Sequence, residues 1–426
     1  MARVLAGLVL GAVAAVILAL ALALSIRPAL PELEVADAAT AARTRDLART
    51  AQDLLSLEPA AGELALPMEQ IRALIVSARR IQPGVRARAE VEDGRLVLRG
   101  AIGAPALPSR LFWVNPTLVI APSDNGLVIE RAAIGHLPIP PVLVRWGLSE
   151  ALDRFLGPDF GRIALGALRE VRIASDRIDL GYALDEGDRE RFYEGLKSRV
   201  RGLAGGTDRG RIYTHLWFLD RAGDRRGLPR TGSVVPYLRH VIAQAGGGED
   251  MKAALLALTL YCGEEAFGPA IGASLGDGMR GRRNHCERTT LGGRDDLKRH
   301  FIVSAGLYAA RSGQVAFGMG ELKELLDSNE GGSGFSFDDI AADLAGARFA
   351  QLTLMTPEAE RPALLDRIGS EADVLPPLDG LPSGLRDAEF RSRYDDVESP
   401  AYRELIAEIN RRIDVMPLYA GTSDDG

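Results

Sequence analysis

Residues 85–98 read VRARAEVEDGRLVL, and this stretch decides the fold class of the first folded part. Every second position from Val85 to Val91 is apolar, while arginine and glutamate occupy the positions between them. Such an alternation is typical of a β-strand that buries one face. The Asp93-Gly94 pair then favours a tight turn into a second apolar run, residues 96–98. The stretch therefore predicts an antiparallel hairpin.

The flanking sequence repeats this pattern and adds helices. Residues 118–120 and 127–129 predict a second hairpin, and residues 171–173 and 178–180 predict a third strand pair. Helical spacing of apolar residues follows Pro67 and Pro141. We therefore expect an α+β fold class, with a small antiparallel sheet domain followed by a mostly α-helical domain.

The length of 426 residues predicts several folded parts. With 46% hydrophobic and 26% charged residues, the composition excludes disordered and disulfide-dense classes. The net charge of −7 argues against nucleic acid as a partner, because phosphate binding requires a basic surface. The predicted segments are a membrane anchor (1–26), a helical stalk (27–59), the antiparallel α+β domain (60–186), a helical domain (187–350) and an acidic C-terminal arm (351–426).

Residues 4–26 carry no charge and are long enough to cross a bilayer as a transmembrane helix. The alternative is a cleaved signal peptide, for which Ala21-Leu22-Ala23 offers a cleavage site. Arg3 before the run and the acidic residues after it predict an amino terminus inside and a body outside. We expect the inner membrane of a bacterium as a partner through residues 4–26, with the body in the periplasm.

Cys262 and Cys286 are the two cysteines of the chain. In an oxidising compartment such a pair predicts a disulfide bond. The neighbouring His285 raises the alternative of a zinc site, although these residues supply at most three ligands.

Acidic and imidazole groups recur at helical spacing between residues 296 and 346. Asp296, His300 and Ser304 are four residues apart and share one helix face. Lys323 and Asp327 have the spacing of a helical ion pair. Ser336 is placed to cap the next helix, with Asp339 and Asp343 on one face of it and Gly346 allowing close packing. Three helices therefore contribute polar groups.

This polar cluster has two interpretations. The first is a functional site, with catalytic candidates His300, Asp296, Glu324, Asp327, Asp339 and Asp343, and metal candidates His300, Glu324 and Asp327. In it Asp296 would orient His300, and a divalent metal would polarise water. The second is a buried polar network that only holds three helices together.

About residues 294–350 resemble a family of uncharacterised bacterial envelope proteins that includes periplasmic lipoproteins, with a fainter likeness to VanZ-like proteins. The resemblance is carried by Asp296, His300, Ser304-Ala305, Lys323-Glu324-Leu325, Asp327-Ser328, Gly332-Ser333-Gly334, Ser336, Asp339, Asp343 and Gly346. Asp296-Leu297 departs from the Asp-Lys of that family, and the lipoprotein cysteine is replaced by the apolar run. The resemblance implies a fold and a compartment and no established activity.

These observations favour a membrane-anchored periplasmic protein that acts as a non-enzymatic envelope binding or scaffold protein, with a lipid or an envelope protein as partner. One alternative is a metal-assisted or acid-base hydrolase that uses His300, Glu324, Asp327, Asp339 and Asp343. Another is lipid binding in an apolar cavity of the sheet domain. Residues 272–276 spell a serine-hydrolase elbow, but no strand-to-helix turn is predicted there.

Overall fold

The structure, a computed structural model, describes residues 22–30, 35–81, 85–103, 112–202, 208–225, 227–264, 285–310, 323–325, 327–328 and 332–420. The described residues form two compact units, one within 1–34 and 42–197, the other within 35–41 and 198–426. The fold class is α+β with an antiparallel sheet domain, as the sequence predicts.

Within the described residues, and except for residues 38–41, which belong to the second unit, the first unit holds the first ten strands and the first four helices. They are β1 (Leu24–Ser25), α1 (Ala38–Leu57), β2 (Ala61–Pro67), α2 (Met68–Ile81), β3 (Val85–Glu92), β4 (Arg95–Gly103), β5 (Trp113–Val114), β6 (Pro116–Ala121), β7 (Val128–Ile134), β8 (Leu137–Pro138), α3 (Pro141–Leu156), α4 (Phe160–Ala167), β9 (Leu168–Ile173) and β10 (Arg177–Ala183).

The predicted hairpins are present. Strands β3 and β4 pair around Asp93 and Gly94, whose φ angles of 48° and 70° are those of a type I′ turn. Within the described residues, one sheet has the order β1-β5-β4-β6-β7-β8 with β3 against β4, and a second has the order β2-β10-β9. Strand β2 was not predicted. Both sheets contribute to one core around Met68, Ile120 and Val171.

The sheet domain has a groove of about 330 Å³ between α2 and β3. Arg72, Arg79, Arg88 and Glu90 line it together with apolar side chains. Lipid binding by the sheet domain stays a prediction.

The predicted membrane span is wrong at its carboxyl end. Residues 4–21 lie outside the described residues, and Leu24–Ser25 form β1, which pairs with Trp113–Val114 of β5. The backbone of this end is therefore bound in a sheet. None of the helices in the described part of the chain combines the length and apolar content that a bilayer span requires.

The second unit is mostly helical. Its elements, with the α5 helix that leads into it, are α5 (Glu186–Gly202), α6 (Arg209–Asp224), β11 (Gly232–Ser233), α7 (Val235–Gln244), α8 (Gly248–Leu258), β12 (Thr289–Thr290), α9 (Asp295–Ala310), α10 (Phe337–Met355), α11 (Arg361–Asp366), α12 (Asp387–Tyr394) and α13 (Pro400–Asp414).

The acidic segment differs from the predicted arm, because residues 351–420 fold back into the second unit. Phe390 of α12 and Tyr402 of α13 are buried against Phe335, with ring centroids 4.4 and 6.2 Å away. The Tyr419 hydroxyl donates to the Val374 carbonyl. The sequence interpretation considered only the net negative charge of this segment and did not predict its buried aromatic residues.

The predicted disulfide is confirmed, since Cys262 and Cys286 are bonded with their Cα atoms 5.2 Å apart. The zinc alternative is therefore wrong, because a disulfide leaves no thiolate to bind the ion. His285 Nε2 instead lies 3.1 Å from Asp224 Oδ1, within hydrogen-bond distance.

Removing this bond is expected to lower the free energy of unfolding by about 3 kcal/mol. The two cysteines are 24 residues apart, so the bond restricts the unfolded chain. Urea unfolding of the double variant Cys262→Ala, Cys286→Ala against the oxidised wild type measures the change. Equal stability of the two proteins would contradict this prediction.

Candidate functional site

Three helical segments bring the predicted cluster together: α9, residues 323–325 and α10. Helices α9 and α10 approach closely at Gly346, where a Cβ atom would lie 2.0 Å from the Phe301 carbonyl oxygen. Only glycine allows this separation of the two backbones. The close approach places His300 of α9 beside Asp343 of α10.

Replacing Gly346 by alanine is expected to destabilise the protein by about 2 kcal/mol. The added methyl group would meet backbone atoms of α9, which cannot rotate away. Gly147→Ala in α3 is a matched control, because a Cβ there meets nothing within 4 Å. Thermal melting compares them, and the prediction fails if both variants melt alike.

His300 is oriented by a carboxylate of α10. Its Nδ1 lies 3.1 Å from Asp343 Oδ1, which also accepts a hydrogen bond of 2.7 Å from the Ser304 hydroxyl. The opposite nitrogen, Nε2, lies 3.5 Å from Glu324 Oε1 and 3.6 Å from Asp339 Oδ2. Nδ1 is thus held by one carboxylate while Nε2 faces two others.

Glu324 is held in place by the cap of α10. Its side chain is fully buried, and its Oε2 accepts a hydrogen bond of 2.9 Å from the Ser336 amide. Ser336 caps the helix through its hydroxyl, which accepts from the Asp339 amide. The predicted cap therefore also binds the Glu324 carboxylate next to the first turn of α10, which contains Asp339.

Lys323 reaches the cluster from a half-exposed position. Its Nζ lies 2.7 Å from Asp327 Oδ2, as the i+4 spacing predicts, and 2.9 Å from His300 Nε2. A hydrogen bond to Nε2 requires a lone pair there, so it forms only with the neutral imidazole. When His300 is protonated, we expect Lys323 to turn toward Asp327.

Asp296 does not orient His300, contrary to the sequence interpretation. It accepts two hydrogen bonds from Arg294, at 3.1 and 2.6 Å. The same guanidinium reaches Asp338 at 2.6 Å and Asp339 at 3.3 Å. Sequence reasoning missed Arg294 and Asp338, because neither stands at a helical repeat from His300.

The buried charges of the cluster shift one another's pKa values. Burial opposes the imidazolium form of His300, but the Asp343 and Asp339 carboxylates outweigh it and raise the pKa of His300 to about 9. Burial raises the pKa of Glu324 to about 8, against the effect of Lys323 and His300. Burial also raises the pKa of Asp339. The site therefore holds carboxylates in surroundings that disfavour their charge.

Three side chains of this site could hold one metal ion. One ligand atom from each of His300, Glu324 and Asp339 lies within 4.8 Å of the others. Of the predicted metal candidates, Asp327 is not in this group and binds Lys323 instead. Asp343 Oδ1 lies next to His300 Nδ1, the ring nitrogen on the side away from the ion. A metal-bound histidine usually donates a hydrogen bond from this second nitrogen to a carboxylate. Asp343 Oδ2 is buried without a hydrogen-bond partner among the described residues.

Comparison with family models, curated proteins and solved structures finds no match for this chain. The likeness of residues 294–350 to an envelope protein family stays a prediction. Residues 272–276, the serine-hydrolase spelling, lie outside the described residues.

Proposed function

We propose that this protein is a membrane-anchored binding protein of the bacterial periplasm, and that its ligand is a divalent metal ion held by His300, Glu324 and Asp339. The uncharged run of residues 4–26 supports the anchor, although Leu24–Ser25 near its end form β1. The disulfide supports an oxidising compartment such as the periplasm.

The convergence of His300 Nε2 with two carboxylates is the observation that carries the metal proposal. These atoms lie 3.5 and 3.6 Å from the nitrogen, so a modest inward movement brings all three within bonding distance of one ion. A cation there would also favour the charged forms of Glu324 and Asp339, whose pKa values are raised mainly by burial.

The donor set restricts the kind of ion. One imidazole nitrogen and two carboxylate oxygens suit Zn²⁺, Mn²⁺ or Fe²⁺ better than Ca²⁺, which takes oxygen ligands. The ion would bind the lone pair of His300 Nε2, which otherwise takes up a proton or accepts the hydrogen bond of Lys323. Lys323 can leave toward Asp327, which already accepts its hydrogen bond.

Isothermal titration of the full chain in detergent with Mn²⁺ and with Zn²⁺ tests the proposal. We expect one ion per chain, with protons released from His300 and Glu324. His300→Ala should abolish this binding, while Asp327→Asn, outside the ligand set, should keep it. Absence of binding to the wild type would refute the proposal, as would equal binding to His300→Ala.

Metal-assisted hydrolysis is the second candidate function, and the number of ligands favours it. Three protein ligands leave a coordination position for water, as in catalytic metal sites, whereas structural zinc sites use four. A bound ion would lower the pKa of that water. Hydrolysis of model esters and phosphodiesters that stops with chelator and with His300→Ala would support this function.

A further inference from the structure

The first turns of helix α3 in the sheet domain present an uncovered apolar face. Val142, Leu143 and Trp146 expose 71%, 54% and 67% of their surface. Their spacing of i, i+1 and i+4 places all three on one side of the helix. Large apolar side chains grouped in this way on a surface mark a contact with a partner or a membrane.

This face lies close to the point where the apolar amino-terminal segment joins the sheet. The Leu22 carbonyl accepts a hydrogen bond of 2.8 Å from the His136 amide. Gly135, with a φ of +59°, permits this approach, because a Cβ there would lie 2.6 Å from the same carbonyl oxygen. Helix α3 begins five residues later, at Pro141. The first described residues, which follow the uncharged run of residues 4–21 in the sequence, are therefore bound to the sheet close in the chain to the start of α3.

The number of residues between His136 and Val142 sets an upper limit on the distance between the bound Leu22 carbonyl and the apolar face. The six residue steps from His136 to Val142 span at most about 20 Å even when fully extended. The apolar face is thus within reach of the layer of lipid headgroups at which a membrane segment ending near Leu22 would emerge.

We infer that Val142, Leu143 and Trp146 lie in the interfacial layer of the membrane that residues 4–21 enter, so that α3 is a second, peripheral membrane contact. The inference rests on the anchor in the proposed function and is independent of the metal site. Tryptophan prefers this interfacial layer because its ring is amphipathic. A short amphipathic helix binds there through its apolar face.

Quenching of Trp146 by brominated lipid tests the inference in the full chain. Trp113→Phe and Trp217→Phe leave Trp146 as the only tryptophan. The protein is reconstituted into phosphatidylcholine vesicles with or without bromine on the acyl chains. Burial of the face at the headgroup boundary predicts at least about twofold weaker emission in the brominated vesicles. Equal emission in both vesicles would overturn the inference.

Two further measurements distinguish the membrane from other partners that could cover this face. Val142→Ser with Leu143→Ser should reduce the quenching, since these exposed side chains help to hold Trp146 in lipid. Protection of Trp146 from aqueous iodide without quenching by bromine would overturn the inference. If this protection depends on protein density in the vesicles, a second copy of the chain covers the face. If it does not, residues 1–21 cover the face. Failure of the full chain to float with vesicles would refute the anchor and this inference together, whereas flotation without quenching refutes this inference alone.

Discussion

Replacing Glu324 by glutamine is expected to weaken divalent-metal binding by about 100-fold or more. Glutamine keeps the shape of the side chain and an oxygen that can accept the hydrogen bond from the Ser336 amide. It lacks the negative charge that would bind the ion. The ion would then keep one imidazole and one carboxylate, His300 and Asp339.

The metal-free Glu324→Gln protein should be at least as stable as the wild type near pH 8. Burial raises the pKa of Glu324 to about 8, so ionising it in the folded protein costs free energy that glutamine does not require. Asp327→Asn is the matched control on the same segment, with an expected loss in metal affinity below about tenfold. Tight metal binding by Glu324→Gln would contradict the ligand assignment.

The metal-free protein is expected to lose several kcal/mol of stability as the pH rises from about 5 to 9. The pKa of His300 is raised to about 9 in the folded state, so its stabilisation is complete below 6.5 and disappears toward pH 9. The neutral form of Glu324 acts in the same direction, because its pKa rises from 4.5 to about 8.

Metal should reverse this trend, because the ion takes the place of the protons and binds more tightly as the pH rises. Urea unfolding between pH 5 and 9, with chelator and with saturating Mn²⁺, measures both profiles. Carboxylates with lowered pKa values, such as Asp37 and Asp296, lose their stabilisation only at more acidic pH. A flat profile in chelator, or parallel profiles with and without Mn²⁺, would contradict the prediction.

Sequence periodicity predicted the parts of the site that depend on one helix. The cap by Ser336, the shared face of Asp339 and Asp343, and the pairing of Lys323 with Asp327 follow from helical geometry alone. Turn chemistry likewise predicted the hairpin at Asp93-Gly94. In each case the interacting residues are close in the chain.

Contacts between helices could not be predicted from the sequence. Asp296 and Asp343 are both plausible partners of His300, and the close approach at Gly346 selects Asp343. Short strands such as β1 and β5 carry too few residues to show an alternation, so their pairing was missed. The burial of Phe390 was hidden by the acidic residues around it.

X-ray absorption at the zinc edge of the Zn²⁺-loaded full chain tests the metal site most directly. We expect nitrogen and oxygen ligands at about 2.0–2.2 Å, with the outer-shell scattering of a single imidazole. The bound zinc itself should be lost in His300→Ala, and the number of ligands should fall in Glu324→Gln. A spectrum with sulfur ligands, with no imidazole, or unchanged in both variants would contradict a site formed by His300, Glu324 and Asp339.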